Sequence, residues 1–492
     1  MKRISVESTA IALALLAIGG CTRTIHRSER TTPVEAPAAW STKTALDGPR
    51  DKGDWWTSFD DDGLNQAVAE ALSQNQELVA VAARIDQARA QARIAGAGEL
   101  PAVDVAFNPV RQRQNFIGFP IPGREDSVLT SVNTNMRLAA NLTWELDFWG
   151  RIKNGKVAAL ADAEAVSVDL EAARLSLAAN ASKAWFAAIE AKRQVAIARA
   201  SLQSFQVSAE RVRSRFLTGI RPPLDLRLAL TEVATAEAEL ERRNQILDAA
   251  IRGLEALIGV YPAGGRTLAE DLPDTPPDIP AGLPSDLVYR RPDLAAQERR
   301  LLASDARIAQ AKAELRPRFN ITAALGTASS NLSGVLDGSL LIWSLAGGVV
   351  QPLFQNGRLK AGVLLNEAQA REAMAIYESA VLEAYREVET ALAAERLLAA
   401  QENALAAASR QSLAARDLAD QRYRSGLADI ITLLASQRSA IQSESLLMNV
   451  RRLRLENRVN LHLALGGGFE VQSAPLLRGA DDPDSERKKE KL

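Results

Sequence analysis

The sequence predicts an α+β membrane protein in which a few strands contact the lipid and very long helices continue from them. Three observations lead to this fold class. Glycines recur at a constant offset of 207 positions, and several segments alternate apolar and polar residues with a period of two. Two segments of 63 residues contain neither glycine nor proline, which is typical of long helices.

An internal duplication is the primary feature of the chain. The segment LTWELDFWGR at 142–151 recurs as VVQPLFQNGR at 349–358, and each has the pattern of a strand that turns at a glycine into a helix. The same offset superposes four pairs of glycines, which are Gly150 on Gly357, Gly155 on Gly362, Gly219 on Gly426 and Gly259 on Gly466. We therefore interpret the chain as one module that occurs twice.

The amino terminus has the pattern of a lipoprotein signal peptide at 1–20, with a short apolar core at 10–18. The residues up to Cys21 resemble a bacterial lipobox, so Cys21 is predicted to carry a lipid anchor. Cys21 is the only cysteine, which excludes a disulfide within one chain. Thr22 follows it and favours transfer to the outer membrane. The 60 acidic and 59 basic residues nearly cancel, so the bulk charge indicates no nucleic-acid partner.

Four segments alternate in the way that strands with one apolar face do. In the longest, every second residue from Val132 to Phe148 shares the apolar face. Shorter alternations lie at 103–108, 319–325 and 341–349, and the last is apolar on both faces at its start. Such a period places one face in an apolar medium and the other in water. Beyond the signal peptide, no segment approaches the ~20 apolar residues of a spanning helix, so a membrane crossing would use strands.

Each 63-residue segment would form a helix of roughly 95 Å, which has to pack along its length. Shorter helical segments match it. Segments 64–95 and 224–258, laid end to end, come close in length to the first long helix, and 294–316 with 427–465 come close to the second. We therefore predict that each long helix packs against two coaxially stacked shorter ones.

These patterns divide the chain into consecutive segments. They are a signal peptide at 1–20, a lipid-anchored extended segment at 21–62, a first repeat at 63–260 with a β-hairpin at 101–149 and a helical hairpin at 151–259, a proline-rich linker at 261–284, a second repeat at 285–468 with a β-hairpin at 317–355 and a helical hairpin at 358–466, and a partly disordered tail at 469–492. Four strands cannot close a membrane barrel, so chains must pool them, with eight in a dimer, twelve in a trimer or sixteen in a tetramer.

Six short motifs occur in order between residues 282 and 468, and the resemblance that they carry covers the chain from about residue 55 to 470. They are Gly282–Leu287 with Arg290–Asp293, Ala309–Ala313 ahead of Pro317, Pro352–Phe354 with Gly357 and Arg358, Glu387–Glu389 with Ala391 and Leu392, Tyr423 with Gly426, and Ala464–Gly468. Through them the chain resembles the outer membrane factor family of TolC-like channels, most closely the lipoprotein branch that serves tripartite RND-type efflux pumps. Ser436 and the glycines at 347–348 depart from the family pattern.

The resemblance implies a homotrimer in the cell outer membrane, with a twelve-stranded transmembrane barrel that continues into a helical barrel across the periplasm. It implies a passive exit duct for drugs, metals or other small toxic molecules. The partners would be outer-membrane lipid, a periplasmic adaptor (membrane fusion) protein and an inner-membrane proton-driven RND pump. The chain reverses at the helical tips, and the adaptor would dock there, at Gly219, Pro222, Pro223 and Gly426.

The resemblance also implies that the tunnel closes near the second tip. Asp417, Asp420 and Arg424 fall at i, i+3 and i+7 on one helix face, and threefold symmetry would repeat each of them in a ring. The hypothesis is an aperture lined by Leu413, Asp417 and Asp420 and latched by Arg416, Arg422 or Arg424. Ordinary surface ion pairs are the alternative for any one of these residues.

Other functions remain open at this point. The alternative within the family is the exit channel of a type I protein secretion system, and the alternative of another class is a periplasmic coiled-coil scaffold or adaptor without a pore. Enzyme activity is least favoured, because His26 and His462 are far apart and no metal-binding or cofactor motif occurs. The run 290–293 is interpreted as a helix start, and the glycines at 466–468 as a helix end.

Overall fold

The computed structural model describes residues 36–41, 53–117, 128–277, 279–282 and 284–469, and every element below belongs to the unit Pro37–Leu492. The predicted signal peptide, the predicted lipidation site Cys21 and most of the anchored segment lie outside these ranges. The tip of the first β-hairpin and nearly all of the C-terminal tail also lie outside them.

Within the described ranges the chain forms eight α-helices and four strands. In chain order they are α1 (Asp62–Gln74), α2 (Gln76–Gly96), β1 (Ala102–Phe116), β2 (Leu129–Leu146), α3 (Arg151–Leu217), α4 (Pro223–Ile258), α5 (Leu287–Arg290), α6 (Pro292–Ala313), β3 (Arg318–Ser329), β4 (Leu341–Val350), α7 (Arg358–Arg424) and α8 (Ile430–Ala464).

The long helices α3 and α7 have 67 residues each, which corresponds to about 100 Å. Each begins directly after a glycine with a left-handed backbone, Gly150 (φ 73°) and Gly357 (φ 80°). Both start at the residues predicted for the helical hairpins, 151 and 358, and run through a further glycine before the 63-residue segments. At Gly155 an added Cβ would lie 3.2 Å from the Gln310 side chain of α6, so the close approach of the two helices favours glycine there.

Helix α3 packs against α2, α4, α6 and α8, and α7 packs against α6 and α8. Three ion pairs join α3 to α6, namely Asp162–Arg307, Glu164–Arg299 and Asp169–Arg300. Burial raises the pKa of the Glu164 carboxyl, although Arg299 lies 3.5 Å away. No helix in the described ranges combines length with the apolarity that a bilayer crossing requires.

The continuous helix predicted over 64–95 is wrong, because the structure divides it into α1 and α2 at Asn75. The Asn75 backbone is extended, and its side-chain oxygen accepts hydrogen bonds from the backbone N–H groups of Glu77 (2.8 Å) and Leu78 (3.2 Å). Its amide nitrogen donates to the Leu257 carbonyl of α4 at 2.8 Å. Asparagine favours a helix N-cap over a helix interior, since its side chain competes for backbone hydrogen bonds.

Shorter helices meet end to end in both copies, as predicted, but in the first copy the junction lies at Asn75, inside the segment 64–95 that was treated as one helix. Helix α4 ends at Gly259 (φ 98°), where an added Cβ would lie 2.6 Å from the Gln74 carbonyl at the end of α1. Gly466 (φ 90°) follows α8 and lies in the same way against the Arg290 carbonyl at the end of α5. Glycine is required at both junctions, because the backbone conformation is left-handed and a side chain would collide with a carbonyl group.

The second junction also contains the basic run singled out in the sequence. Pro292 is the first residue of α6 and Asp293 lies in its first turn, so the run marks a helix start, as predicted. The Arg291 guanidinium is buried, pairs with Asp293 at 2.8 Å and Glu387 at 2.6 Å, and donates to the Ala464 carbonyl at 3.3 Å. Arg291 thus links the end of α8 to the start of α6.

The four strands form one antiparallel sheet in the order β1-β2-β3-β4, so that β2 and β3 join the two copies. Residues that pair across the sheet share a face. One row of paired residues is apolar throughout and consists of Val105, Ala140, Leu325 and Trp343. The row beside it, on the opposite face, consists of Asp104, Asn141, Ala324 and Ser344. In these two rows the predicted period of two runs across all four strands, whereas β4 also carries Ile342 on the otherwise polar face.

Two strand boundaries differ from the prediction. Strand β1 continues to Phe116, far beyond the alternation at 103–108, because it pairs residue by residue with the long strand β2. Strand β2 ends at Leu146, so Phe148 is not part of the apolar strand face. Phe148 lies in the turn before α3, and its ring packs edge-on against Phe319 at 4.9 Å.

The largest apolar core lies where α1, α3, α4 and α8 meet. Trp55 and Phe59 are buried in it, in a 3-10 turn where an extended segment was predicted. The ring of His462 stacks on Trp55 with centroids 5.0 Å apart. Trp40 is also buried and donates from its indole Nε1 to the Gly282 carbonyl at 2.9 Å. The aromatic residues of the N-terminal segment therefore attach it to the helical body.

Candidate functional site at the helical tips

Both helical hairpins reverse at a glycine with a left-handed backbone, Gly219 (φ 73°) and Gly426 (φ 78°). At the first tip the Ile220 N–H donates to the Arg215 carbonyl at 2.9 Å, and at the second the Leu427 N–H donates to the Arg422 carbonyl at 2.8 Å. These bonds satisfy carbonyl groups that a helix end leaves free. The duplication therefore extends to the hydrogen bonds of the turns.

The two tips start their second helices differently. Pro222 caps α4 with an extended backbone, and Pro223 is its first residue. Helix α8 is capped by Asp429, whose carboxylate accepts from the Thr432 N–H at 2.7 Å, and hydrogen bonding to Thr432 lowers the pKa of Asp429. The four residues predicted to dock an adaptor, Gly219, Pro222, Pro223 and Gly426, are all exposed. The large apolar side chains of Ile220, Leu224 and Leu427 beside them are exposed as well.

Tyr423 ties the two tips together. Its side chain is fully buried, and the guanidinium groups of Arg215 and Arg221 lie 5.0 and 5.4 Å from its ring centroid. Arg215 also donates to the Tyr423 carbonyl at 3.0 Å and the Arg424 carbonyl at 2.8 Å. Cations are favoured at a helix C-terminus and over an aromatic face, so the first tip holds the end of α7 by two kinds of interaction.

Asp420 is the second link between the tips. Its carboxylate accepts from Arg211 Nη1 of α3 at 2.6 Å and lies 2.6 Å from Arg424 Nη2. The Asp420 side chain is 24% exposed and that of Arg211 is 33% exposed. One carboxylate therefore bridges two arginines, one from each repeat, in a partly desolvated position.

The other predicted aperture residues are arranged differently. Asp417 is 63% exposed and pairs with Arg416, its neighbour in sequence, at 2.8 Å. Leu413 is half-buried and Arg422 is exposed. The structure thus joins Asp420 to Arg424 but does not join Asp417 to either of them.

Sequence reasoning missed the arginines of the first tip. Arg211, Arg215 and Arg221 contact the second tip, although they are about 200 positions away from it in sequence. The duplication held one usable signal, because the offset of 207 places Arg215 at the position of Arg422, next to the turn. No pattern in the sequence indicated that the two tips lie against each other.

At the other end of the long helices, one face of the sheet carries polar side chains that are suited to water. Asn141 Nδ2 donates to the Asp104 carboxylate at 3.0 Å on this face. Glu145 lies on the same face and forms a bidentate pair with Arg151, with distances of 2.9 and 2.8 Å. In a membrane barrel the polar face lines the lumen and the apolar face contacts lipid. Within the described residues, no group of three His, Cys, Asp or Glu side chains could hold a metal ion.

A sequence model of the family described as Outer membrane efflux protein matches residues 67–260 and 283–467. The chain is 33% identical over 487 residues to outer membrane protein OprJ of Pseudomonas aeruginosa, and the match covers 97% of this chain and 99% of that protein. It is 31% identical over 449 residues to the pyoverdine export outer membrane protein OpmQ of Pseudomonas putida, covering 89% of this chain and 93% of that protein.

Solved structures agree with these sequence matches. A membrane protein from Pseudomonas aeruginosa superposes with a TM-score of 0.79 at 33% identity, covering 89% of this chain and 98% of that one. The outer-membrane channel OprN superposes with a TM-score of 0.82 at 28% identity, covering 90% of this chain and 99% of that one.

The comparisons confirm the predicted fold class, with four barrel strands per chain that continue into a long helical barrel. They also confirm the predicted outer-membrane location and the role as an exit channel for efflux. The chain belongs to the outer membrane efflux protein family.

Proposed function

We propose that this channel is the passive exit duct of a tripartite pump, with a periplasmic adaptor docked on its tips and an inner-membrane, proton-driven RND transporter as the energy source. The observation that supports this is the apolar surface at the tips, which consists of Ile220, Leu224 and Leu427 around two glycine turns. The turns lie about 100 Å from the sheet along 67-residue helices. An apolar surface at this distance from the outer membrane is suited to a partner protein in the periplasm.

The working unit in this proposal is a homotrimer. A single chain leaves β1 and β4 as the edges of its sheet, and unpaired strand edges are not tolerated in lipid. Three chains supply twelve strands, and β1 of one chain then pairs with β4 of the next. The helical hairpins of the three chains form the tunnel below.

We propose that Cys21 carries the lipid anchor of the segment 21–62, whose Trp40 is buried against the helical body. Labelling cells with radioactive palmitate is expected to label the wild type and not Cys21→Ala. Equal labelling of both proteins would remove the anchor from the proposal without affecting the channel.

We further propose that the tips close the tunnel at rest, with Leu413, Asp417 and Asp420 around the aperture. The support is the bridge from Asp420 to Arg211 and Arg424, which ties the second tip to the first. In this proposal the latch lies within each chain. Arg416 pairs with Asp417 at the rim, and the exposed Arg422 would contact a neighbouring subunit.

The transported molecules are proposed to be small toxic compounds as a class. The names of the relatives refer to pyoverdine for OpmQ, toluene for TtgI and cations for CusC. A wide bore lined by water does not select a solute by close fit, so the pump and adaptor would set the substrate.

Copurification after crosslinking in the native host tests the proposed partners. We expect an adaptor and an RND transporter to copurify with the wild type and to be lost from the double variant Ile220→Asp/Leu427→Asp. The matched control is Leu336→Asp, which changes an exposed leucine at the opposite end of the chain, between β3 and β4, and should retain both partners. Recovery of an ATP-driven exporter instead would support a type I secretion channel. Unchanged copurification of the double variant would contradict docking at the tips.

A further inference from the structure

The lipid-facing side of the sheet has a defined upper limit. On β2, every second residue from Leu146 to Met136 is apolar and lies on this face. At ~3.4 Å per residue and a tilt of ~40°, this segment rises about 26 Å. Outer-membrane barrels present an apolar band ~25 Å tall to the lipid. The outer surface of the hydrocarbon layer therefore lies near Met136 and its cross-strand partner Pro109.

On β1 the same face becomes basic directly above this limit. Arg111 and Arg113 are the next two residues of β1 on the face of Pro109, and they pair with Thr134 and Val132 of β2. Arg111 lies about 5 Å above Pro109 at the same tilt, at the height of lipid headgroups. Both arginines are exposed, and neither has an ion-pair partner among the residues that the structure describes.

The arginines belong to a hairpin that extends beyond the rest of the sheet. Strand β3 ends at Ser329, which pairs with Met136, and β4 begins at Leu341, which pairs with Thr327. Among the strands of the described ranges, only β1 and β2 continue outward from there, and they pair as far as Phe116 and Leu129. The hairpin therefore carries the lipid-facing side of the barrel past the hydrocarbon layer.

We propose that Arg111 and Arg113 bind the phosphate groups of the glycolipid in the outer leaflet of the outer membrane. A guanidinium group matches phosphate by paired hydrogen bonds, which a single ammonium cannot supply. Basic residues just outside the hydrocarbon layer attract anionic lipid. Because these residues continue the face that contacts lipid, the occupant is a lipid headgroup and not a soluble phosphate compound. Three such hairpins around a trimer would fix the height of the barrel in the membrane.

The test is native mass spectrometry of the purified full-length protein titrated with diphosphorylated lipid A. Each basic contact at a membrane surface is worth roughly a factor of five, so Arg111→Gln/Arg113→Gln should bind about 30-fold more weakly than the wild type. The matched control is Arg137→Gln. Arg137 is an exposed arginine of the same hairpin that pairs with Asn108 on the lumenal face, and its substitution should leave binding unchanged.

Further measurements separate the explanations. Lipid A without phosphates should bind the wild type weakly, with the affinity that phosphorylated lipid A has for the double variant. Inorganic pyrophosphate should not displace lipid A from the wild type. Displacement by pyrophosphate would show a soluble-anion site and overturn the proposal. Equal binding by the wild type and the double variant, or an equal loss in Arg137→Gln, would overturn it too. If the double variant does not fold, the salt dependence of wild-type binding is the test. Binding of lipid A that does not weaken as salt is added would then overturn the proposal. Bilayer conductance should not change, so failure here is distinguishable from failure of the channel.

Discussion

If the tips close the tunnel at rest, as proposed, neutralising Asp420 should open it. Its carboxylate lies 2.6 Å from both Arg211 and Arg424. Arg424 is 59% exposed, so water screens its ion pair with Asp420. Loss of that pair should therefore change the free energy little. The pair with Arg211 is more desolvated, and we assign about 1 kcal/mol to it. If three chains open together, the closed state loses about 3 kcal/mol of stabilisation. This lowers the ratio of closed to open channels about 150-fold.

The assay is single-channel conductance in planar bilayers. Asp420→Asn and Arg211→Gln should each raise the open fraction, and the double variant should open no further than either one, because both remove the same interaction. The difference from the wild type should shrink in 1 M salt, where the Debye length is ~3 Å. Asp417→Asn is the control and should have little effect, since Asp417 is 63% exposed and its ion pair in the described part of the chain is with Arg416 of its own helix.

Three results would refute this reasoning. The first is an unchanged resting conductance of Asp420→Asn, and the second is an additive effect in the double variant. The third is an equal opening by Asp417→Asn, which would show that negative charge around the aperture, and not the bridge to Arg211, keeps it closed.

Three further predictions concern stability, measured as thermal or denaturant unfolding in detergent. Burial lowers the pKa of His462 to about 4 from 6.5, so the unfolded chain binds more protons between these values. The contribution of neutral His462 to the free energy of unfolding should therefore be complete above pH 6.5 and fall by about 3 kcal/mol as the pH drops towards 4. A flat pH profile in the wild type, or the same slope in His462→Phe, would contradict this. The hydroxyl of Tyr423 is buried without a hydrogen-bond partner among the described residues. Tyr423→Phe should therefore leave the free energy of unfolding unchanged or raise it, whereas Tyr423→Ala should lower it by about 3–5 kcal/mol. Equal losses in the two variants would show that the hydroxyl matters. Gly466→Ala should lower the free energy of unfolding by more than about 2 kcal/mol, because its φ is 90° and a Cβ would meet the Arg290 carbonyl. Gly253→Ala, in open space within α4, should raise it by about 0.5–1 kcal/mol. Similar melting temperatures of the two variants would contradict this.

Much of the fold could be predicted because the signals are local. Alternation over 132–146 marks a strand whatever it pairs with, and 63 residues without glycine or proline mark a helix before its neighbours are known. The offset of 207 linked the two copies directly. The same reasoning failed at Asn75, because asparagine occurs both inside helices and at their N-caps and the surrounding pattern continues in helical spacing. The hydrogen bond from its amide to the Leu257 carbonyl, which is distant in sequence, could not be read from that pattern.

The candidate site was less predictable. Sequence reasoning reached Asp420 and Arg424, which share one helix, but not Arg211, Arg215 or Arg221, which come from the other repeat. It treated Asp417 and Asp420 as equivalent because both are acidic and three residues apart. Their different exposure separates them, and exposure depends on which helices pack beside them.

The sequence by itself determined the repeat, the lengths of the long helices, the polarity of the strand faces and the glycine turns. Each of these depends on the periodicity or the backbone conformation of nearby residues. Only the tertiary structure decided which tip contacts which, that the Asp420 bridge lies within one chain, and how far the β1–β2 hairpin extends above the sheet. Those features depend on contacts between residues far apart in the chain, and no local pattern encodes them.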